Sequence, residues 1–172
     1  ADGSELATAA LDGSLRRFAL QPHPRQRTLQ PYGEKAVSAD LHPDGHRALV
    51  ALASEIQLWD LSSGRLLQSH KVPGILKVAR FSADGKLLVT AGTVVQRWDA
   101  ATLAPIGSAW QSDSEVQSGQ ISRDDRYFVG GTQDGAVQCW DLLSGQVKRW
   151  KTQSVRVASL EFSPDGQRMV TS

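Results

Sequence analysis

Cysteine is almost missing from this 172-residue chain, with Cys139 the single example. One thiol excludes an intramolecular disulfide framework and any multi-cysteine zinc site. Long apolar runs are missing too. None approaches the roughly 20 residues that a membrane helix requires. The first residues show no charged segment followed by an apolar one, so no secretory leader pattern is visible. The cytoplasm is favoured on that ground, and the compartment is otherwise open. Neither sign of charge is in excess: 19 Lys and Arg face 18 Asp and Glu, for a net charge of +1. A dedicated nucleic-acid or membrane-surface binder carries a clear basic excess, so neither class is expected. Helical periodicity over ten or more residues is also missing. What remains is globular in composition, 40% hydrophobic and 22% charged, and long enough to bury a core.

What is present is a repeat of about forty residues. A turn tetrapeptide recurs as His-Pro-Asp-Gly at 42–45, Ser-Ala-Asp-Gly at 82–85, Ser-Arg-Asp-Asp at 122–125 and Ser-Pro-Asp-Gly at 163–166. The chain also opens on Ala-Asp-Gly, which puts the first Asp of each copy at 2, 44, 84, 124 and 165. A second marker runs in phase. Trp59, Trp98 and Trp140 each precede an Asp, and Phe18 takes their place in a divergent first copy. Each copy divides into four short runs rich in Val, Leu and aromatics and bounded by Gly, Asp, Ser and Pro, which is the pattern of strands. Asp-Gly between two such runs marks a tight hairpin, because glycine accepts the positive φ required there.

Four antiparallel strands per forty residues, with Trp-Asp closing the third, resemble the WD-repeat β-propeller family in a divergent, bacterial style. The resemblance covers essentially the whole chain. It rests on the Phe-Ser-Pro-Asp-Gly turn and on the Trp-Asp-x-x-Ser-Gly segments at 59–64 and 140–145. The fold it implies is all-β, a propeller of four-stranded antiparallel blades, with about four blades present. Blade one would run from its second strand over 1–34. Blades at 35–74, 75–114 and 115–154 would follow, then a partial blade at 155–172. With such uneven ends and no starting Met, the expectation is a segment of a larger propeller. Two chains self-associating into an eight-bladed ring, or a lone four-bladed ring, are the alternatives.

The sequence departs from the family in one respect. Strong WD repeats carry a Gly-His pair before the first strand, and that His joins a hydrogen-bond chain through Ser or Thr to the Trp and a turn Asp. The matching places here hold Val72 and Pro73, Ser112 and Asp113, and Thr152 and Gln153. The turn Asp survives only as Asp12 and Asp134. A whole network can be removed at little cost, whereas half of one is expensive. The blades are therefore expected to cohere mainly by apolar packing.

No constellation of catalytic or metal-ligating residues is visible, so no enzyme activity, metal or cofactor is expected. His42 and His46 flank one turn without a third ligand, and a solvated turn accounts for them. His70, Trp110 and Trp150 share one place in the repeat, which reads as packing against the neighbouring blade. Cys139 alternates away from Trp140 and reads as a small buried hydrophobe. The basic groups at Arg16, Arg17, Arg25 and Arg27 and at Lys148, Arg149 and Lys151 read as loop and outer-strand charge, which guards edges. Asp40, Arg80, Gln120 and Glu161 recur on the inner first strands, one residue before the turn aromatic, and no catalytic set converges among them. They are the residues an alternative reading would need, a small-ligand sensor or enzyme at the channel mouth.

The resemblance implies a non-catalytic scaffold that binds a protein or peptide on a face made of loops. Propellers of this style are often joined to signalling domains such as protein kinases. The residues implied for the face are Lys35 and Val37, Ile75 and Lys77, Glu115 and Gln117, and Arg156 and Ala158. Leu11 and Gln133 join them beside the second hairpin turns.

Overall fold

The computed structural model of the chain describes residues 35–152, 154–163 and 165–172 with their side chains, and residues 5–9, 15–19 and 27–29 as backbone. Every regular element among the described residues is a strand. The first sheet holds β1 (Glu5–Ala9), β2 (Leu15–Ala19) and β3 (Arg27–Leu29). The second holds β4 (Ala36–Leu41), β5 (Arg47–Leu52), β6 (Glu55–Asp60) and β7 (Leu66–Lys71). The third holds β8 (Leu76–Phe81), β9 (Leu87–Gly92), β10 (Val94–Asp99) and β11 (Pro105–Gln111). The fourth holds β12 (Val116–Ile121), β13 (Tyr127–Thr132), β14 (Ala136–Asp141) and β15 (Val147–Lys151). The last pairs β16 (Leu160–Phe162) with β17 (Met169–Thr171).

Strands run antiparallel and in chain order within each sheet. The sheets succeed one another in chain order: β1 lies beside β4, β4 beside β8, β8 beside β12, and β12 beside β16. This is the all-β, WD-type blade arrangement of a β-propeller, with about four blades. By register, β2 corresponds to β6, because Leu6–Phe18 matches Ala48–Trp59. The first sheet thus contains the second to fourth strands of a blade.

Burial follows strand position. The second strands β5, β9 and β13 are buried on both faces, which explains their nearly continuous apolar runs, since neighbouring sheets cover both sides. The fourth strands β7 and β15 are exposed throughout, as an outer edge requires. Trp59, Trp98 and Trp140 are all buried. One core cluster joins Leu49, Ile56 and Leu58 of the second sheet to Leu88, Trp98 and Leu103 of the third. Another joins Val89 and Val95 to Phe128, Trp140 and Leu142 of the fourth. Each large apolar side chain so buried contributes about 1.5–3 kcal/mol. The charged groups fall partly as expected. Lys148, Arg149 and Lys151 lie on edge strand β15, whereas Arg16 and Arg17 lie in β2, between β1 and β3.

The two turn motifs have distinct physical jobs. In the first, Ser82 Oγ donates to Asp84 Oδ1 at 2.7 Å, and the Lys86 amide donates to the same oxygen at 2.9 Å. Gly85 closes the turn at φ +71°. The fourth copy puts Asp125 there at φ +57°. In the second motif, the Asp after each Trp caps the following turn. Asp60 accepts from the Ser63 amide at 2.6 Å and the Ser62 hydroxyl at 2.7 Å, Asp99 from the Thr102 amide at 2.8 Å, and Asp141 from the Ser144 amide at 3.0 Å. The Ser63 and Ser62 hydroxyls hold the Asp60 carboxyl down to about 2.

The tryptophans each meet a different fate. Trp98 Nε1 donates to Thr90 Oγ1 at 2.8 Å, and Trp59 Nε1 donates to Gln57 Oε1 at 3.2 Å. Trp140 Nε1 is buried with no hydrogen-bond partner. The place of Thr90 is Gly130 in that sheet, by the pairings Gln96–Thr90 and Gln138–Gly130. The second half of the hydrogen-bond chain survives separately, with Thr132 Oγ1 donating to Asp134 Oδ1 at 2.6 Å.

Candidate functional site

The expected face residues converge through a backbone device. In each complete first strand the pairing register slips by one residue: between Ala36 and Ser38, between Leu76 and Val78, and between Val116 and Ser118. The slipped residues are Val37, Lys77 and Gln117. In the last sheet the Ala158 and Ser159 amides both donate to Ser172 O, at 2.8 and 3.3 Å, so Ala158 occupies the same irregularity. A β-bulge re-aims the side chain it carries and ends regular pairing. Four of the expected residues therefore stand on one recurrent bulge at the same end of successive inner strands.

Neighbouring blades interlock across this rim. Lys77 Nζ lies 3.3 Å from Glu115 Oε1, and Arg156 Nη2 donates to Gln117 Oε1 at 3.0 Å. In both cases the bulge residue of one blade reaches the strand-entry residue of the next. At the corresponding place between the second and third sheets stand Val37, 40% exposed, and Ile75, 53% exposed. The rim thus grades from apolar to ionic to polar. Lys35, Gln133, Arg156 and Ala158 are exposed as well. Leu11 lies outside the described residues.

The loop behind the rim is held by a glutamine that the sequence reading passed over. Gln57, Gln96 and Gln138 stand two residues before each Trp, and all three are buried. Gln138 Oε1 accepts from Ser112 Oγ at 2.7 Å, and its Nε2 donates to Asp113 Oδ2 at 3.0 Å. Ser112 and Asp113 occupy the place of the family's Gly-His pair, so Gln138 ties that loop to the third strand without a histidine. The signal was visible as Gln-x-Trp-Asp in three copies. Gln96 bonds instead to the Arg97 and Ile106 carbonyls, at 2.7 and 3.2 Å.

Channel-side polar residues serve as stitches between blades. Asp40 Oδ2 accepts the Phe81 amide at 2.8 Å, and Gln120 Oε1 accepts the Phe162 amide at 3.1 Å. Arg80 turns back to Ser38 Oγ at 3.0 Å. Burial raises the Asp40 carboxyl above its ordinary value, against the opposing pull of the Phe81 amide and Arg80. Asp125 makes a further stitch on the opposite rim, accepting from the Ala83 and Asp84 amides at 2.7 and 3.1 Å.

Two single-residue expectations are corrected. His42 is buried rather than solvated. Its Nε2 lies 2.9 Å from Gly85 O, and its ring packs edge-on against Phe81 at 4.9 Å. The His-Pro-Asp-Gly turn tucks this ring under the next blade's turn. Cys139 is half-buried, and burial pushes its thiol upward. Among the described residues no group of three or more His, Cys, Asp or Glu side chains is placed to hold a metal ion.

Fold and rim together define a WD-type blade array with a recurrent bulged face. No family model matches the chain. Over 182 residues it is 26% identical to the U3 small nucleolar RNA-associated protein 4 homolog of Mus musculus, an alignment covering 98% of this chain and 26% of that protein. It is 29% identical over 171 residues to the serine-threonine kinase receptor-associated protein of Dictyostelium discoideum, covering 96% of this chain and 57% of that protein. It is 29% identical over 140 residues to WD repeat-containing protein SL1-17 of Schistosoma mansoni, covering 79% and 46%. The similarity is distant. The chain spans about a quarter of the first of these relatives and just over half of the second.

Proposed function

We propose that the chain is a divergent member of the WD-repeat family and acts as a non-catalytic scaffold, presenting its bulged rim to a protein or peptide. The observation that carries this reading is the recurrence of the bulge at Val37, Lys77, Gln117 and Ala158. A bulge repeated in register costs ladder hydrogen bonds in every blade, and its return is a row of side chains held on one rim. Interlocking by Lys77–Glu115 and Gln117–Arg156 pre-orders the row, which lowers the ordering cost of binding. Val37 and Ile75 supply the apolar anchor. The names of the Dictyostelium and Schistosoma relatives, a receptor-associated protein and a WD repeat-containing protein, accord with this reading.

The test is selection of a random-peptide phage library on the purified chain. Enriched peptides should bind with micromolar affinity and lose about tenfold or more on Val37→Asp together with Ile75→Asp, since truncated hot spots cost at least 1–2 kcal/mol. Peptides that bind both forms equally, or a library that never enriches, would remove the rim from consideration.

A further inference from the structure

The two ends of the blade array carry opposite charge, although the whole chain is close to neutral. At the bulged rim the described residues include six cations, Lys35, Lys71, Lys77, Arg149, Lys151 and Arg156, against four carboxylates. At the opposite end eight Asp face six Lys and Arg among the described residues. Local turn chemistry explains the acidic end, because each turn there uses an Asp to hold its own amides. The four rim carboxylates are all engaged. Glu55 accepts from Gln57 Nε2 at 2.9 Å, Asp113 from Gln138 Nε2 at 3.0 Å, and Asp134 from Thr132 and Arg149, while Glu115 pairs with Lys77. Lys35, Lys71, Lys151 and Arg156 are exposed and pair with no carboxylate among the described residues.

The apolar part of the rim is rigidly held. The Val72 amide donates to Ser54 O at 3.0 Å and the Leu76 amide to Ala53 O at 2.9 Å, which binds the connection into β8 to the second sheet's hairpin turn. On its other side the Ile75 amide donates to Thr93 Oγ1 at 3.1 Å, and the Thr93 amide donates back to Ile75 O at 3.1 Å. Gly74 permits this approach at φ +71°, since a Cβ there would overlap Thr93 Oγ1. Ile75 is thus an exposed side chain on backbone fixed from two sheets, an apolar anchor that loses little freedom on binding. Free cations flank it: Lys35 lies two residues before Val37, and Lys71 four before Ile75.

We infer that the segment seated on this rim is acidic, an extended peptide with one apolar side chain packed on Val37 and Ile75 and Asp or Glu side chains reaching Lys35, Lys71 and Arg156. The inference rests on the rim being the binding face. Charge complementarity selects the sign, because an incoming carboxylate finds unpaired cations and an incoming cation finds carboxylates already engaged. Nucleic acid is the poorer match. A phosphodiester chain brings charge but no aliphatic side chain for Ile75, and the strand entries at 35–37, 75–77, 115–117 and 156–158 carry no aromatic ring to stack a base.

The test selects two phage-displayed peptide libraries in parallel on the purified full chain. One mixes Asp and Glu with apolar residues, the other Lys and Arg with the same apolar residues. The acidic library should enrich and the basic one should not. An exposed ion pair changes affinity by about two- to fivefold. Lys35→Gln, Lys71→Gln and Arg156→Gln together should therefore weaken an enriched peptide about tenfold. The same changes should leave its Asn and Gln isostere, already about tenfold weaker, unmoved. Val37→Ser with Ile75→Ser should weaken both forms alike, by about tenfold. Equal enrichment of the two libraries, or acidic peptides indifferent to the three Gln changes, overturns the acidic assignment. If the Ser pair still weakens those peptides, the rim stands as the binding face. Peptides indifferent to the Ser pair, or no enrichment from either library, remove the rim reading and this inference together. An oligouridylate that displaces the peptide at the peptide's own concentration assigns the cations to nucleic acid and also overturns it.

Discussion

Replacing Asp125 with glycine restores the residue found at this place in the other turns, and on this geometry it destabilises the protein. Asp125 sits at φ +57°, a region that costs most side chains about 1–2 kcal/mol and costs Asp less. Glycine relieves that strain but adds freedom to the unfolded chain worth about 0.4–1 kcal/mol, so the backbone effects nearly cancel. What remains is the loss of two amide bonds to a carboxylate, from Ala83 at 2.7 Å and Asp84 at 3.1 Å. Both bonds are exposed to solvent, so each is worth about 1 kcal/mol, the value of an ordinary hydrogen bond and below that of a buried one to a charged acceptor. Asp125→Gly should therefore cost about 2 kcal/mol, a drop of about 4–8 °C in Tm for a chain of this length. Asp125→Asn keeps one acceptor oxygen and should cost about half as much. Thermal melts give the total. Amide hydrogen exchange locates it, with faster exchange expected at Ala83 and Asp84, one blade away from the substitution. A glycine variant as stable as the parent, with those amides still protected, would refute the stitch.

Three further predictions follow from the same contacts. Trp98→Phe removes the donor to Thr90, whereas Trp140→Phe removes a buried N–H that has no partner, so the first should be more destabilising by about 1–2 kcal/mol in denaturant titrations. Gln138→Leu should cost about 2 kcal/mol and accelerate exchange at residues 112–115, because the loop loses its ties to Ser112 and Asp113. Asp60 is held down to about 2 by the Ser63 and Ser62 hydroxyls, so its contribution is complete above the ordinary 3.8 and is lost as pH falls through the folded value. Acid titration should show stability level down to about pH 4 and falling below it, and Ser63→Ala should flatten that limb.

The architecture was legible because a forty-residue period wrote it four times. Trp59, Trp98 and Trp140 with their capping Asp, and the Asp-Gly turns, are local signals whose chemistry acts within a few residues. The second- and third-strand burial followed from their apolar runs. The lateral contacts were not legible. Asp40 with Phe81, Gln120 with Phe162, and Asp125 with the turn at 82–85 each join residues about one repeat apart, and nothing in a single copy marks them. Asp40 and Arg80 stand out as polar residues on inner strands, and their partners, the Phe81 amide and Ser38, lie in the neighbouring blade. The turn of His42 looks solvated in a single copy, yet the turn of the next blade covers the ring. The bulges at Val37, Lys77 and Gln117 were equally silent, since a register slip is a property of two paired strands. The buried Gln two residues before each Trp is a local signal, legible as Gln-x-Trp-Asp in three copies.

The proposal that stands above the others is that the bulged rim binds a partner. Amide hydrogen exchange of the full chain, with and without a saturating selected peptide, tests it most directly. New protection is expected only at the strand entries around Val37, Ile75, Lys77, Glu115 and Gln117, with the turns at 82–85 and 122–125 on the opposite rim unchanged. Protection centred on those turns, with the strand entries untouched, would contradict it.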